Sequence, residues 1–264
     1  MATDRLIPGS RRTLLRVYAD ASCADGRPHL ADLRVLLVCD VLLRTAALGG
    51  RQSVVGLGLP ELAPDQVKAL VRDAELLGIH PPTVQAGFRD VPAALGGPAD
   101  VRVVGHGVAV GGGPDGSRIG GSRVDSSRID VGAAPFSAEA DADAETLFPG
   151  LLATDPQTLR LALLRYAPGA PAGLTPAALA DAGTTLARWR GLVAQWAREP
   201  SRPVHAETVR AARELLAERL DTAAVLELLR GLAEVGEVPA GTRFETFVYL
   251  DRVLALELSR EIGY

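Results

Sequence analysis

His29 precedes a long apolar run, so it would meet the positive end of a helix, a setting that favours anions such as phosphate. It is the candidate catalytic residue; otherwise it is a polar helix-start residue. Three residues on, Asp32 brings a carboxylate that would repel phosphate. Asp20 closes a short apolar stretch, and α/β folds bind ligands at the carboxyl ends of their strands. It either holds a ligand amine or caps the following loop. His106 sits between Gly105 and Gly107, as a ligand-facing imidazole or as part of a turn. Arg118, Arg123 and Arg128 lie among glycines and serines, in a solvated loop or as bidentate phosphate clamps. Cys23 reads as an incidental exposed thiol, because no base is near it in sequence.

The elements that would position these residues follow from pattern. Thr13–Ala19 reads as a first strand, Leu30–Leu48 as a helix stopped by Gly49-Gly50, and Gln52–Leu57 as a buried strand. Asp65–Leu77 reads as a second helix ended by Gly78. This β-α-β-α order predicts an α/β fold with a parallel sheet. Gly56-Leu57-Gly58 lacks a third glycine and runs into Pro60, so it is no dinucleotide fingerprint. Val101–Val104 and Val108–Val110 read as short strands, and Gly111–Ala144 as one long loop. Beyond Asp155 the expectation is helical throughout: Pro156–Tyr166, Pro176–Arg198, Ala206–Leu220, Asp221–Val235 and about Arg243–Arg260. Trp189 and Trp196, seven apart, would share a packed helix face. Two domains are expected, a sheet domain over 1–150 and a helical bundle over 151–264.

Composition narrows the function classes. A net charge of -4 argues against a broad nucleic-acid footprint. Of 28 basic residues only Lys68 is a lysine, which leaves almost no mobile ammonium for nucleotide chemistry. The apolar run Val35–Leu48 is broken by Asp40 and Arg44 and is too short to span a bilayer, and no signal peptide is read at the N-terminus. Two cysteines make neither a disulfide framework nor a metal cluster, so a cytoplasmic location with reduced thiols is expected.

Several fragments occur in a telling order. Leu15-Arg16-Val17-Tyr18-Ala19-Asp20 leads to His29-Leu30-Ala31-Asp32 and then to Asp40-Val41-Leu42-Leu43-Arg44. Leu77-Gly78-Ile79-His80-Pro81-Pro82, Asp155-Pro156-Gln157-Thr158-Leu159-Arg160 and Leu250-Asp251-Arg252-Val253-Leu254-Ala255-Leu256 follow. Together they resemble the cysteinyl-tRNA synthetases, and equally the related mycothiol cysteine ligase, in the x-L-G-I-x-P-P, D-P-x-x-L-R and L-D-x-V-L-x-L segments. The resemblance implies a class I synthetase-like domain of Rossmann (HUP) type followed by a helical bundle.

The departures from that family carry the functional expectation. The HIGH-type tetrapeptide reads His29-Leu30-Ala31-Asp32, keeping only its first residue. Ser117-Arg118-Ile119-Gly120-Gly121-Ser122 stands where the K-M-S-K-S loop would be, without its lysines. Asp20 occupies the place of the family's first zinc ligand, and the other ligand motifs and the anticodon-reading domain have no counterpart. The expectation is a degenerate paralogue without aminoacylation activity, acting as a binding or regulatory protein, with no metal, no required cofactor and no specific tRNA binding. The alternative is an ATP-dependent amino-acid-activating ligase with a remodelled site. Ligand contacts would come from Asp20, His29, Asp32, His106, Arg118 and Ser122. The ligand would be an amino acid or adenylate-like molecule, and a protein partner or a second copy would be the macromolecular partner.

Overall fold

The computed structural model of the protein describes residues 14–23, 26–105, 127–135, 152 and 155–263. Five parallel strands form one sheet in the order β3-β2-β1-β4-β5: β1 Leu14–Asp20, β2 Gln52–Leu59, β3 Val84–Gly87, β4 Val101–Gly105 and β5 Ser127–Val131. The strand order reverses between β1 and β4, which makes their carboxyl ends the switch point of a Rossmann-like sheet. The fold is α/β, as the sequence pattern predicts. β3 was not anticipated, and β5 corrects the expectation of an unbroken loop from Gly111 to Ala144. β3 is too short to show a period, and Ile129 and Val131 alternate inward across only five residues among polar neighbours. Val108–Val110 lies outside the described residues.

Eight helices accompany the sheet among the described residues: α1 Leu30–Leu48, α2 Pro64–Leu76, α3 Val91–Ala94, α4 Pro156–Leu164, α5 Pro176–Trp196, α6 Ala206–Arg219, α7 Thr222–Glu234 and α8 Ala240–Leu254. No helix among the described residues is long and apolar enough to cross a membrane. The last helix stops earlier than its apolar stripe suggested. Ala255 and Glu257 take left-handed φ values of 50° and 54°, which no helix continues.

Strand alternation divides the sheet into two faces. Leu15, Val17 and Ala19 of β1 join Val101 and Val103 of β4 in a core with α1, and that core continues through α4, α5, α7 and α8. Helix α1 is buried on nearly every side, because it lies between the sheet and the later helices. The other face carries Tyr18, which packs with Val91, Leu95 and Ala99. Gly56 permits that packing, since a Cβ there would lie 2.3 Å from Val91 Cγ1. Trp189 and Trp196 flank Phe247 edge-on with centroids 5.7 and 5.2 Å away, as their spacing predicted.

Burying α1 also buries its charges, and each finds partners. Asp40 accepts from Arg160 Nη2 at 2.6 Å and Arg44 Nε at 2.8 Å, and His80 Nδ1 lies 2.7 Å from its other oxygen. Arg160, with no exposure, also donates to the carbonyls of Leu254 and Leu77. This knot ties together α1, the α2–β3 turn, α4 and the end of α8. Nearby, Arg190 pairs with Asp155 and donates to the Leu256 and Glu257 carbonyls, while Asp251 accepts from the Leu256 and Leu258 amides. Arg34 makes a third tie without any carboxylate. Its guanidinium donates to the carbonyls of Gly132, Ala133, Ala167 and Ala170 at 2.6–3.2 Å.

Candidate functional site at the carboxyl edge of the sheet

The β1–α1 loop is built around Asp32. Its Oδ2 accepts from the His29 amide at 2.7 Å, and its Oδ1 accepts from the Cys23 amide at 3.0 Å and the Ser22 hydroxyl at 3.2 Å. The carboxylate has no exposure. It closes the first turn of α1 from inside and sets a fixed negative charge at the helix's positive end. The expected repulsion of phosphate is thus accompanied by a structural duty that sequence did not suggest. His29 is the N-cap residue of α1 and is exposed at this edge.

Cys23 corrects the expectation of an exposed thiol. It is 2% exposed, takes a left-handed φ of 42°, and burial together with the Asp32 charge pushes its pKa up to about 12. A thiol so shifted is not a nucleophile near neutrality. The cause is invisible in sequence, because the loop folds back onto Asp32. Cys39 is buried in α1 and its thiol is likewise shifted upward.

Asp20 ends β1 at the switch point and is 3% exposed. Its Oδ2 receives Arg102 Nη2 of β4 at 2.8 Å. Burial pushes its pKa above the usual carboxylate value, against the pull of Arg102 and Arg128. Arg102 lies over the Tyr18 ring, 5.5 Å from its centroid. Tyr18 is 4% exposed, its hydroxyl has no hydrogen-bond partner among the described residues, and burial raises its pKa. Arg128 stands opposite Arg102 on β5 and pairs with Asp130 at 2.7 Å. Gly58 is needed here, because a Cβ would lie 2.7 Å from Asp20 Oδ1 and 2.9 Å from the Phe88 ring.

The structure therefore brings Asp20, Asp32 and His29 to one edge. Tyr18 and Arg102 were missed by sequence reasoning. Both are even-numbered positions on the face opposite the core, and the signal that could have found them is a tyrosine two residues before Asp20 and an arginine inside an otherwise apolar β4. His106, Arg118 and Ser122 lie outside the described residues. Among the described residues no group of three or more His, Cys, Asp or Glu side chains is placed to hold a metal ion. The edge offers a buried carboxylate, a guanidinium on an aromatic face and an exposed imidazole, a set suited to holding a small polar ligand. No protein-family model and no curated protein sequence matches this chain.

Proposed function

We propose that the chain is a class I synthetase-like protein, similar in kind to the cysteinyl-tRNA synthetases and the mycothiol cysteine ligase, which uses the scaffold for binding or regulation and forms no adenylate. In this reading α4–α8 are the helical bundle that follows the nucleotide-binding-like sheet. The observation that carries it is Asp32. Where the resemblance calls for a second phosphate-binding histidine, a buried carboxylate engages the His29 amide and the loop. Class I activation needs preorganised donors for the charge that develops on the transferring phosphates, and each lost donor costs on the order of 10²–10³ in rate. A fixed anion at the same helix terminus opposes that charge instead.

The rival is an ATP-dependent amino-acid-activating ligase, favoured by exposed His29 at the α1 N-cap beside the switch point. Cysteine-dependent ATP–pyrophosphate exchange decides between the two. Exchange no higher than background is expected. Clear exchange that His29→Ala abolishes would put the ligase first. Titration with ATP and with a cysteinyl-adenylate analogue tests the binding role, and the analogue is expected to bind more tightly than ATP. No specific retention of tRNA is expected at physiological salt, given the net charge of -4.

A further inference from the structure

We propose that the Asp20 cluster is a site for a small organic cation, an amine or a guanidine, and that Arg102 is its internal occupant, displaced when such a ligand binds. The inference rests on the reading of the carboxyl edge as a binding site and names the chemistry it selects.

The geometry is that of a cation seat. The Asp20 side chain is 4% exposed while that of Arg102 is 35% exposed, so the carboxylate is built into the fold and its partner reaches in from the open side. The guanidinium rests on the Tyr18 ring as it meets Asp20, so a π face and a carboxylate converge on one positive group.

A second observation separates this pair from a purely structural one. Arg160 has every guanidinium nitrogen engaged. Among the described residues the Tyr18 hydroxyl, on a side chain more than nine-tenths buried, has no hydrogen-bond partner. A buried hydroxyl left open in this way calls for a partner, which a molecule bound at this edge would supply. The other charges facing the cluster are Arg128 and Asp130 on β5 and Asp90 before α3. Asp20 is the carboxylate that touches the seated guanidinium.

The test is calorimetric titration of the full chain with methylguanidinium chloride, ethylammonium chloride and, as an anion control, sodium acetate at matched ionic strength. Removing the internal competitor frees the competent state, so Arg102→Gln is expected to bind at least one of the two cations about tenfold more tightly than wild type. Arg102→Lys, which keeps a resident cation, is expected to show no such gain, and Asp20→Asn in the Arg102→Gln background is expected to abolish it. The gain should fade as pH is lowered and Asp20 takes up a proton. The guanidinium and ammonium arms tell which cation the seat prefers. Equal cation affinity in wild type and Arg102→Gln, or equal binding of acetate, overturns the proposal. If Arg102→Gln does not fold, NMR of wild type decides: saturable shifts of the Tyr18 ring resonances with either cation support displacement, and their absence overturns it. Neither result depends on pyrophosphate exchange, so a failure here leaves the reading without adenylation standing, and the converse holds.

Discussion

Asp40 and Asp20 are both carboxylates held beneath the surface and paired with arginine, one in the middle of α1 and the other at the end of β1. At Asp40 the partners are complete: two guanidiniums and the His80 backbone and ring nitrogens share two oxygens, and Arg160 spends its remaining donors on carbonyls. At Asp20, among the described residues, a single guanidinium reaches in from the open side, over a phenol whose hydroxyl is unpartnered. The two sites are also shifted in opposite directions. Burial alone would raise Asp40, but Arg160 and Arg44 hold it below the ordinary carboxylate value, whereas burial prevails at Asp20 and raises it. A fully satisfied buried charge is a joint of the fold. A partly satisfied one is held in place by the rest of the structure, as ligand sites are.

Breaking the joint should have the largest effect. Arg160→Met leaves Asp40 buried with fewer partners and is expected to cost about 3–5 kcal/mol in urea unfolding. A loss below about 1 kcal/mol would remove the distinction between the two sites. Asp32→Ala comes next. It strands the Ser22, Cys23 and His29 donors, and a loss of about 1–3 kcal/mol is expected, with faster amide exchange in the β1–α1 loop.

Acid sharpens the contrast through its sign. Asp40 has a folded pKa below its unfolded value of about 3.9, so its contribution is complete above that value and disappears as pH falls through the folded pKa. Asp20 is raised in the folded state, so protonation favours the fold and its contribution declines as pH rises through the folded pKa. Stability measured between pH 3 and 7 should therefore fall less steeply toward acid in Asp40→Asn than in wild type, and more steeply in Asp20→Asn. The same slope change in both variants would contradict the assignment. The smallest effect is that of Asp20→Asn at pH 7, expected within about 1 kcal/mol of wild type, because Arg102 can turn to solvent.

These two sites also mark how far the sequence could be read. Helix α1 was expected at Leu30–Leu48 and stands there, since a long apolar run closed by two glycines has one physical reading. Asp20 was placed at the end of the first strand, where it is. Periodicity, however, reports which face a residue occupies and not what it meets. The fragments around Asp40, His80, Arg160 and Leu254 were legible as an ordered series along the chain. Their meeting in one knot depends on contacts 40 to 120 positions apart. The same limit hid the Arg102–Asp20 pair, 82 positions apart, and the burial of Cys23.

The Arg34 clamp has a consequence for mutational tolerance. An ion pair can be lost by replacing either residue, but carbonyl acceptors belong to the backbone and survive a change of side chain. Ala133, Ala167 and Ala170 can therefore vary without costing the clamp an acceptor, whereas Gly132 is held for a separate reason, since a Cβ there would lie 2.4 Å from the Ala170 oxygen. Carbonyls do not titrate, and burial lowers the guanidinium only to about 10, so the tie stays charged and bonded in acid where the Asp40 joint fails. Acid should weaken the Asp40–Arg160 link between α1 and α4 before it affects the Arg34 tie to residues 132–133 and 167–170, so the two ties loosen in sequence rather than together.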